Sequence, residues 1–532
     1  MYDVLIIGSG GAALSAAIES NNLGAKVCVL SKTQATASQT CQAQGGINGV
    51  TTNTLDSATQ HINDTLKSAH GLGDSNSIEF MCNEASSTIH WLDFIGVPFS
   101  KNNSNQIAQR KLGGASHPRA CYSSDYTGLK ILHTLYDQCV KHNIEFLNDY
   151  MVLNFIVSNN TAIGITSLHI TTSEVKEIFA KTIIIATGGY AGIYHGFHTN
   201  SNSTTGDGIA AAMRAGCQVA NMEYVQFHPT ALLKSAILIS ESARGEGGYL
   251  VDQDGNRFID ELKPRDEVAR AIYEKIEKNQ SVYLDLRHLG KEKIIQAMPQ
   301  EYELALQYAN LYMDKDLIPI APAAHYTMGG IKTDIDGKTN IKNLFSVGEA
   351  SCNGVHGANR LGGNSLLEII TFGRRVGKCA ATDSKYITSI NTTQSKEYQD
   401  DCMAIQNILK YPNTINFYEI KSLLGKLFYQ NVGLFRTQQN LESTLAQIKQ
   451  WQKEYSLMGI TDKSKLYNTE LKEFIEFGNM LEISEAIVLS ALARKESRGA
   501  HFRVDYPTEN DLFAQSTLAY KTQDGILIEL VK

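Results

Sequence analysis

The feature that most constrains this chain lies at its start. An apolar run, Tyr2-Asp3-Val4-Leu5-Ile6-Ile7, leads into Gly8-Ser9-Gly10-Gly11-Ala12-Ala13 and then into the small-residue segment Leu14 to Ser20. The run has the pattern of a buried strand and the segment that of a helix, with a second strand at Lys26 to Leu30 completing a β-α-β unit. Gly8-x-Gly10-x-x-Ala13 at such a junction supplies a tight turn, a backbone bare enough at Gly10 and Gly11 for a pyrophosphate, and a small residue where helix meets sheet. The helix N-terminus then faces the phosphates. A dinucleotide site is expected here, although glycine-rich strand-helix turns also arise from packing alone. One usual feature is missing. Roughly twenty residues on, where Asp or Glu often holds the ribose, the chain has Ser31 and Lys32, which stand among the candidate cofactor contacts in its place.

Two further strand-glycine units follow. Ile183-Ile184-Ile185-Ala186 ends in Thr187-Gly188-Gly189, and Leu344-Phe345-Ser346-Val347 ends in Gly348-Glu349-Ala350. Three such units imply one sheet built from distant pieces of chain. An extended cofactor of FAD length needs contacts from several segments, so Ala186, Thr187, Gly188 and Glu349 favour FAD over NAD. Glu349 would accept hydrogen bonds from cofactor hydroxyls; a solvated strand-end carboxylate is the plainer alternative. A glycine loop, His356 to Gly363, runs into an apolar helix beginning near Asn364, Ser365 and Leu366. Its N-terminus, aimed at the flavin pyrimidine edge, would stabilise the negative charge of a reduced flavin.

The predicted fold class is α/β: a Rossmann-like FAD-binding domain (1–228 and 326–384), an inserted α+β capping domain (229–325), a helical bundle (385–495) and a C-terminal tail (496–532). Beyond Ser384 glycine thins out and long amphipathic segments appear, at Lys396 to Leu409, Phe417 to Trp451 and Leu471 to Lys495, which is the texture of a bundle. A length of 532 residues suits several cores. With 48 Lys plus Arg against 55 Asp plus Glu, a net charge of −7, and no basic arm, nucleic acid is excluded as an expected partner. The longest apolar runs are strand-sized, so no direct membrane insertion is expected. The 9 cysteines form no Cys-x-x-Cys pair and no metal-ligand cluster with histidine, which reads as reduced thiols in a cytoplasmic setting and no metal site. The first residues leave no room for a signal peptide or twin-arginine leader. Service to a membrane enzyme would be that of a peripheral subunit at the inner membrane.

At this point the residues resemble the family of succinate dehydrogenase and fumarate reductase flavoprotein subunits, which includes L-aspartate oxidase. The likeness runs nearly end to end. It rests on Gln44-Gly45-Gly46-Ile47, Phe227-His228-Pro229-Thr230, Glu241 to Gly248, Pro264-Arg265-Asp266, His325 to Gly330, His356 to Leu367 and Glu496 to His501. The resemblance adds Thr40, Gln44, Gly45 and Gly46 to the cofactor contacts. It implies that His228, Ser240, His325 and Arg360 hold a C4 dicarboxylate, that Arg265 transfers the proton, and that Glu241 and Arg244 relay it. Two carboxylates in a closed pocket need charge-assisted donors, and an arginine fork satisfies one of them bidentately. Taken alone, either histidine would read as a satisfied core residue, and Glu241 with Arg244 as a surface ion pair.

The departures from the family are informative. Covalent members attach FAD through a histidine in a Ser-His-Thr context, where this chain has Ser38-Gln39-Thr40, so dissociable FAD and a tilt towards fumarate reduction are expected. Cys41, two residues on, is expected to be a small buried thiol and not a substitute link. L-aspartate oxidase is the alternative activity. That branch commonly has a glutamate before Gly-Gly-His-Ser to receive the substrate ammonium; here the segment is Leu112-Gly113-Gly114-Ala115-Ser116. Arg360-Leu361-Gly362-Gly363-Asn364 leans to the fumarate branch, whereas Pro322-Ala323-Ala324-His325 and the short C-terminus lean to the oxidase. No cysteine set could bind an iron-sulfur cluster, so an iron-sulfur subunit and membrane anchor are candidate partners.

Overall fold

The computed structural model describes residues 1–51 and 55–531. The strand Tyr2–Ile7 and the helix Gly11–Asn22 form where the glycine motif puts them, and Val27–Ser31 pairs in parallel with the first strand, Val4 opposite Val27. On its other side Tyr2–Ile7 runs parallel to the end of Glu174–Ile185, Ile7 opposite Ile185. That strand in turn runs parallel to Leu344–Ser346. The three strand-glycine units therefore lie side by side, and their carboxyl ends open on one crevice, where such sheets bind ligands. Val4, Leu5, Ile6, Ile183, Ile184 and Ile185 have no exposed surface. Burial on both faces is why these strands are continuous aliphatic runs and do not alternate.

Glu174–Ile185 is 12 residues long because it serves two pairings. Its first half is antiparallel to Thr161–His169, which continues to Tyr150–Ser158. Gly8 sits at φ +112°, and a Cβ there would come within 2.1 Å of the Ala186 carbonyl oxygen, so the turn admits only glycine. The helix Asn364–Ser384 packs along Gly11–Asn22 at backbone contact: a Cβ on Gly377 would lie 2.3 Å from the Ala16 carbonyl oxygen. That contact fixes the direction in which the second helix points its N-terminus.

The cap is built on a four-stranded antiparallel sheet in the order Val225–Leu232, Ile318–Thr327, Val282–Asp285, Tyr249–Asp252. Leu232, Ile239, Val268, Ile272, Leu284 and Ile318 form its own apolar core, with the helix Arg265–Glu277 packed on it. The first two strands run without a break through positions 228/229 and 325/326, where the sequence reading divides cofactor domain from cap. Following the cap come the helices Lys396–Ile408, Phe417–Asn431, Gln438–Glu454 and Thr469–Ala493. The segment expected as one periodic stretch from Phe417 to Trp451 is thus two helices, interrupted where the wholly buried Arg436 turns inward. No helix among the described residues is long and apolar enough to cross a membrane.

The last residues pack back on the body. Ser516–Thr522 and Gly525–Val531 form a hairpin that joins a sheet with Val219–Ala220, Gly330–Lys332 and Ser351–Cys352. Ahead of it a buried ionic knot locks the tail to the body. Arg494 Nε donates to Glu223 Oε1 at 2.7 Å, and both Arg494 and Arg498 bind Glu496. Arg498 also donates to the His70 carbonyl at 2.6 Å. Burial and the charges of Arg436, Arg494 and Arg503 hold His501 well below its usual range, so its neutral Nδ1 accepts from Arg436 at 2.7 Å.

Lys32, expected among the cofactor contacts, borders the cavity and is also tied inward. Its ammonium, beside the cavity, donates to Thr205 Oγ1 at 2.8 Å, Asp207 Oδ2 at 2.5 Å and Glu476 Oε1 at 2.8 Å. All three donors are used inside the protein, where they clamp the strand Val27–Ser31 to the helices Asp207–Arg214 and Thr469–Ala493. Replacing it, Lys32→Met, strips Asp207 of its counter-charge and leaves Glu476 only Lys472, at 3.7 Å. A loss of about 3–5 kcal/mol is expected, read as a lowered urea midpoint of unfolding.

Candidate active site

The crevice continues under the cap as one cavity of about 1560 Å³, including the solvent at its mouth. Its nucleotide end is walled by Gly8, Gly10, Gly11, Ser31, Lys32, Thr40, Gln44, Gly45, Gly46, Ala186, Thr187, Gly188, Glu349, Ser365 and Leu366. Two of the expected cofactor residues lie outside the wall. Ala13 has no exposed surface and serves helix packing. Asn364 turns its side chain away: its Oδ1 accepts from Asn48 Nδ2 at 2.7 Å and its Nδ2 donates to Thr65 Oγ1 at 3.0 Å. The next two residues of that helix, Ser365 and Leu366, reach the wall instead. Gln39 lines the wall, with its Oε1 accepting from the Ser201 N–H at 2.6 Å. Cys41 is half-buried and its thiol is pushed up by burial.

Polar atoms along this wall have no partner within the protein: Ser38 Oγ, Gln44 Oε1, Thr187 Oγ1 and, at the far end, Arg360 Nε. Such spacing fits a long ligand that carries hydrogen-bonding groups along its length. Glu349 Oε1 accepts from the Thr327 N–H at 2.9 Å and from its hydroxyl at 3.1 Å. Burial pushes the Glu349 carboxyl up to about 7.

The closed end gathers His228, Ser240, Glu241, Arg265, His325, Tyr326 and Arg360 from separate elements. His228 and His325 stand on paired strands of the cap with ring centroids 5.0 Å apart. Arg265 opens the helix Arg265–Glu277, and Arg360 stands in the loop before Asn364. Gln226, which the sequence reading passed over, joins the two arginines: its Oε1 accepts from Arg265 Nη1 at 3.2 Å and from Arg360 Nη2 at 3.0 Å. Its amide nitrogen is held by Asn359 Oδ1 at 2.7 Å and the Arg360 carbonyl at 2.9 Å, which fixes which way the amide faces. Position two before His228 in a strand puts Gln226 towards the same side, and that spacing was the available signal.

Glu241 Oε2 takes Arg265 Nε at 3.0 Å and Nη2 at 2.5 Å, while its Oε1 accepts from the Gly113 N–H at 2.6 Å. Burial pushes this carboxyl up, but the charges of Arg265 and Arg244 and these hydrogen bonds outweigh it, and Glu241 is held below the usual carboxylate range. The surface ion pair that Glu241 and Arg244 suggest in isolation is not one: both are fully buried, 4.0 Å apart. Arg244 stands behind Glu241, outside the cavity wall, with Nη1 on the Glu261 carbonyl at 2.6 Å.

Arg360 lies over the Tyr326 ring at 4.3 Å and donates to Ser365 Oγ at 3.1 Å. Burial and then the charge of Arg265 push the Arg360 guanidinium down to about 9. Burial, with the surrounding arginines, also holds His228 and His325 well below their usual range, so both rings are neutral. Because His228 Nδ1 accepts from the Thr230 N–H at 3.3 Å, its proton sits on Nε2 and can donate. Ser240 differs from expectation. Its Oγ accepts from the Ser242 N–H at 3.2 Å and donates its one proton to Glu301 Oε1, a residue with no motif around it. Around Glu241 the chamber thus presents buried guanidiniums and neutral donors, the complement of a small dianion.

Substituting Gln226→Leu removes the shared acceptor of both guanidiniums. The affinity for malonate is expected to fall roughly 10- to 100-fold, as losing a hydrogen bond to a charged group costs about 1.5–3 kcal/mol. Titration calorimetry reads it.

Residues 3–366 match the family described as FAD binding domain, and residues 421–530 that described as Fumarate reductase flavoprotein C-term. The cofactor of the cavity is therefore FAD. The chain is 36% identical to the succinate dehydrogenase flavoprotein subunit of Rickettsia bellii over 99% of its own length and 94% of the relative's. It is 37% identical to the 8-methylmenaquinol:fumarate reductase flavoprotein subunit of Wolinella succinogenes, covering 96% of this chain and 86% of that one. A mutant form of E. coli quinol fumarate reductase superposes with a TM-score of 0.95 at 33% identity, covering 100% of this chain and 96% of the other. With likeness at that level along the whole chain, this protein belongs to the family of succinate dehydrogenase and fumarate reductase flavoprotein subunits, which are FAD-dependent oxidoreductases.

Proposed function

We propose that the chain interconverts fumarate and succinate, chiefly in the reductive direction. The observation that carries this reading is the pair Arg265 and Arg360, bridged by Gln226 and faced by two neutral histidines, at the closed end of the FAD cavity. The glycine turns at Gly8 to Gly11, Thr40 to Gly46 and Ala186 to Gly188 would hold FAD, which in its reduced form would supply the hydride.

The residues of the chain do the rest. The Arg360 fork takes one carboxylate, and Nε2–H of His228 together with His325 donates to the ligand, which orients the double bond and polarises it. Excess positive charge in the chamber stabilises the enolate-like charge that develops on a carboxylate as the other carbon is reduced. Arg265 gives a proton to the second carbon. An arginine acid works against a side-chain pKa above about 12, so the transfer depends on a closed, dry pocket. The proton returns by way of Glu241, which holds two nitrogens of Arg265 and has Arg244 at 4.0 Å behind it. Leu112 in the wall offers no counter-charge to a substrate ammonium, which supports a dicarboxylate over an amino acid.

Gln39 stands where covalent relatives have histidine, and a carboxamide offers no such link, which supports dissociable FAD. All 9 cysteines are free and scattered through the fold, so the electrons are proposed to come from an iron-sulfur subunit with a membrane anchor, the chain sitting peripherally on the membrane.

Purified protein with reduced viologen is expected to consume fumarate. Aspartate oxidation with oxygen or fumarate, in the absence of fumarate reduction by viologen, would overturn the reading. Arg265→Gln is expected to lower kcat by about 10²–10⁴-fold with flavin still bound. Acid precipitation should leave the yellow colour in the supernatant; colour retained in the pellet would contradict dissociable FAD.

A further inference from the structure

Behind Ser240, and outside the cavity wall, lies a buried acid that the mechanism above does not use. Glu301 stands in the first turn of the helix Pro299–Ala309 and has no exposed surface. Ser240 Oγ donates to its Oε1, and its Oε2 is buried without a partner. A hydroxyl has one proton and two lone pairs. Here one lone pair is taken by the Ser242 N–H at 3.2 Å and the proton by Glu301, so what remains for the cavity is a lone pair. That polarity is wrong for a carboxylate.

We propose that Glu301 is a positioning residue that couples dicarboxylate binding to the uptake of one proton from solvent. When Glu301 is protonated, its own O–H donates to Ser240 Oγ, the hydroxyl proton turns into the chamber, and Ser240 becomes the donor that a carboxylate needs. The step is Glu301 carboxylate plus one solvent proton giving the carboxylic acid; no other bond changes. The inference rests on the dicarboxylate reading given above.

The surroundings of Glu301 favour such a poise. Asp125, also without exposed surface, accepts the Glu301 backbone N–H at 3.0 Å through Oδ2 and leaves Oδ1 unpartnered. Arg110, from Gln109–Arg110, is the near cation, and its Nε and Nη2 are committed to the carbonyls of Gly45, Gln44 and Ser124. The groups that bear on this corner electrostatically are thus Asp125 and Arg110, with Tyr122 and Glu246 beyond them around Arg110. Burial, reinforced by the Asp125 charge and opposed by the Ser240 hydrogen bond and Arg110, pushes the Glu301 carboxyl up to about 7. Its protonated form dominates below that pH and is lost above it, so a ligand that requires the proton binds progressively worse as pH rises.

The test uses the FAD-loaded full chain. For wild type, KM for fumarate and Kd for malonate are expected to be flat below about pH 6.5 and to rise by up to about 10-fold per pH unit between pH 7 and 8, the window below the titration of Arg360, with kcat not sharing that slope. Malonate calorimetry at pH 8 in two buffers of different ionisation enthalpy should report uptake of close to one proton per ligand. In Glu301→Gln the amide donates to Ser240 permanently, and both the slope and the proton uptake should vanish. A wild type that binds malonate with no pH slope and no proton uptake overturns the role of Glu301 alone. A slope that survives in Glu301→Gln does the same. Absence of any dicarboxylate binding at pH 6 overturns this proposal together with the reading beneath it. The wild-type measurement decides even if the variant fails to fold.

Discussion

Two buried guanidiniums that share one acceptor are the interaction on which the rest of this structure depends. Arg265 and Arg360 both donate to Gln226 Oε1, and only Glu241 among their contacts offers a full negative charge. Burying cations side by side is unfavourable unless each is hydrogen-bonded and something relieves the repulsion. Protein supplies the hydrogen bonds from three separate segments, through Gln226, Glu241 and Ser365. A dianion would supply the relief, so the chamber is built in a state that a doubly charged ligand improves.

Holding those cations at fixed distance requires stiff supports, and the fold provides them on both sides. Gln226 and His228 ride on a strand continuous between cofactor domain and cap, as does His325 on its neighbour. Arg360 precedes a helix whose axis is fixed by backbone contact with Gly11–Asn22. Arg265 is placed by the start of a helix packed on the cap's own core. Arg360 alone stands in a loop, and that loop is held between the Gln226 amide and Ser365, which suits a site whose function is orientation.

Much of this was legible in the sequence, and the limits have physical causes. Strand-glycine units announce themselves because buried parallel strands are unbroken aliphatic runs and their turns admit only glycine, as at Gly8. The arginines and histidines of the closed end were found through motif resemblance, and they do line one cavity. What escaped were groups whose roles arise only on folding. Gln226 and Glu301 sit in ordinary-looking segments, and nothing in composition tells a bridging amide from a surface one. The clamp made by Lys32 was hidden for the same reason, since Asp207 and Glu476, its partners, lie far along the chain. Asn364 was placed correctly as a helix start, yet its side chain is drawn to Asn48 and Thr65. The break between Phe417–Asn431 and Gln438–Glu454 was hidden because the turn buries Arg436, a residue that reads as solvent-facing.

The knot around Glu496 has a bearing on how such a molecule comes into being. Glu223 immediately precedes the strand that carries Gln226 and His228, and its carboxylate is met by Arg494 and by the Thr517 hydroxyl. The counter-charge stands 271 residues further along, so this carboxylate waits unpaired in a nascent chain until that segment emerges. A chain cut before Arg494 would retain every cavity-lining side chain but would leave Glu223 in the interior without its ion-pair partner. The strand that carries Gln226 and His228 is thereby tied to residues made after the whole of the cavity wall.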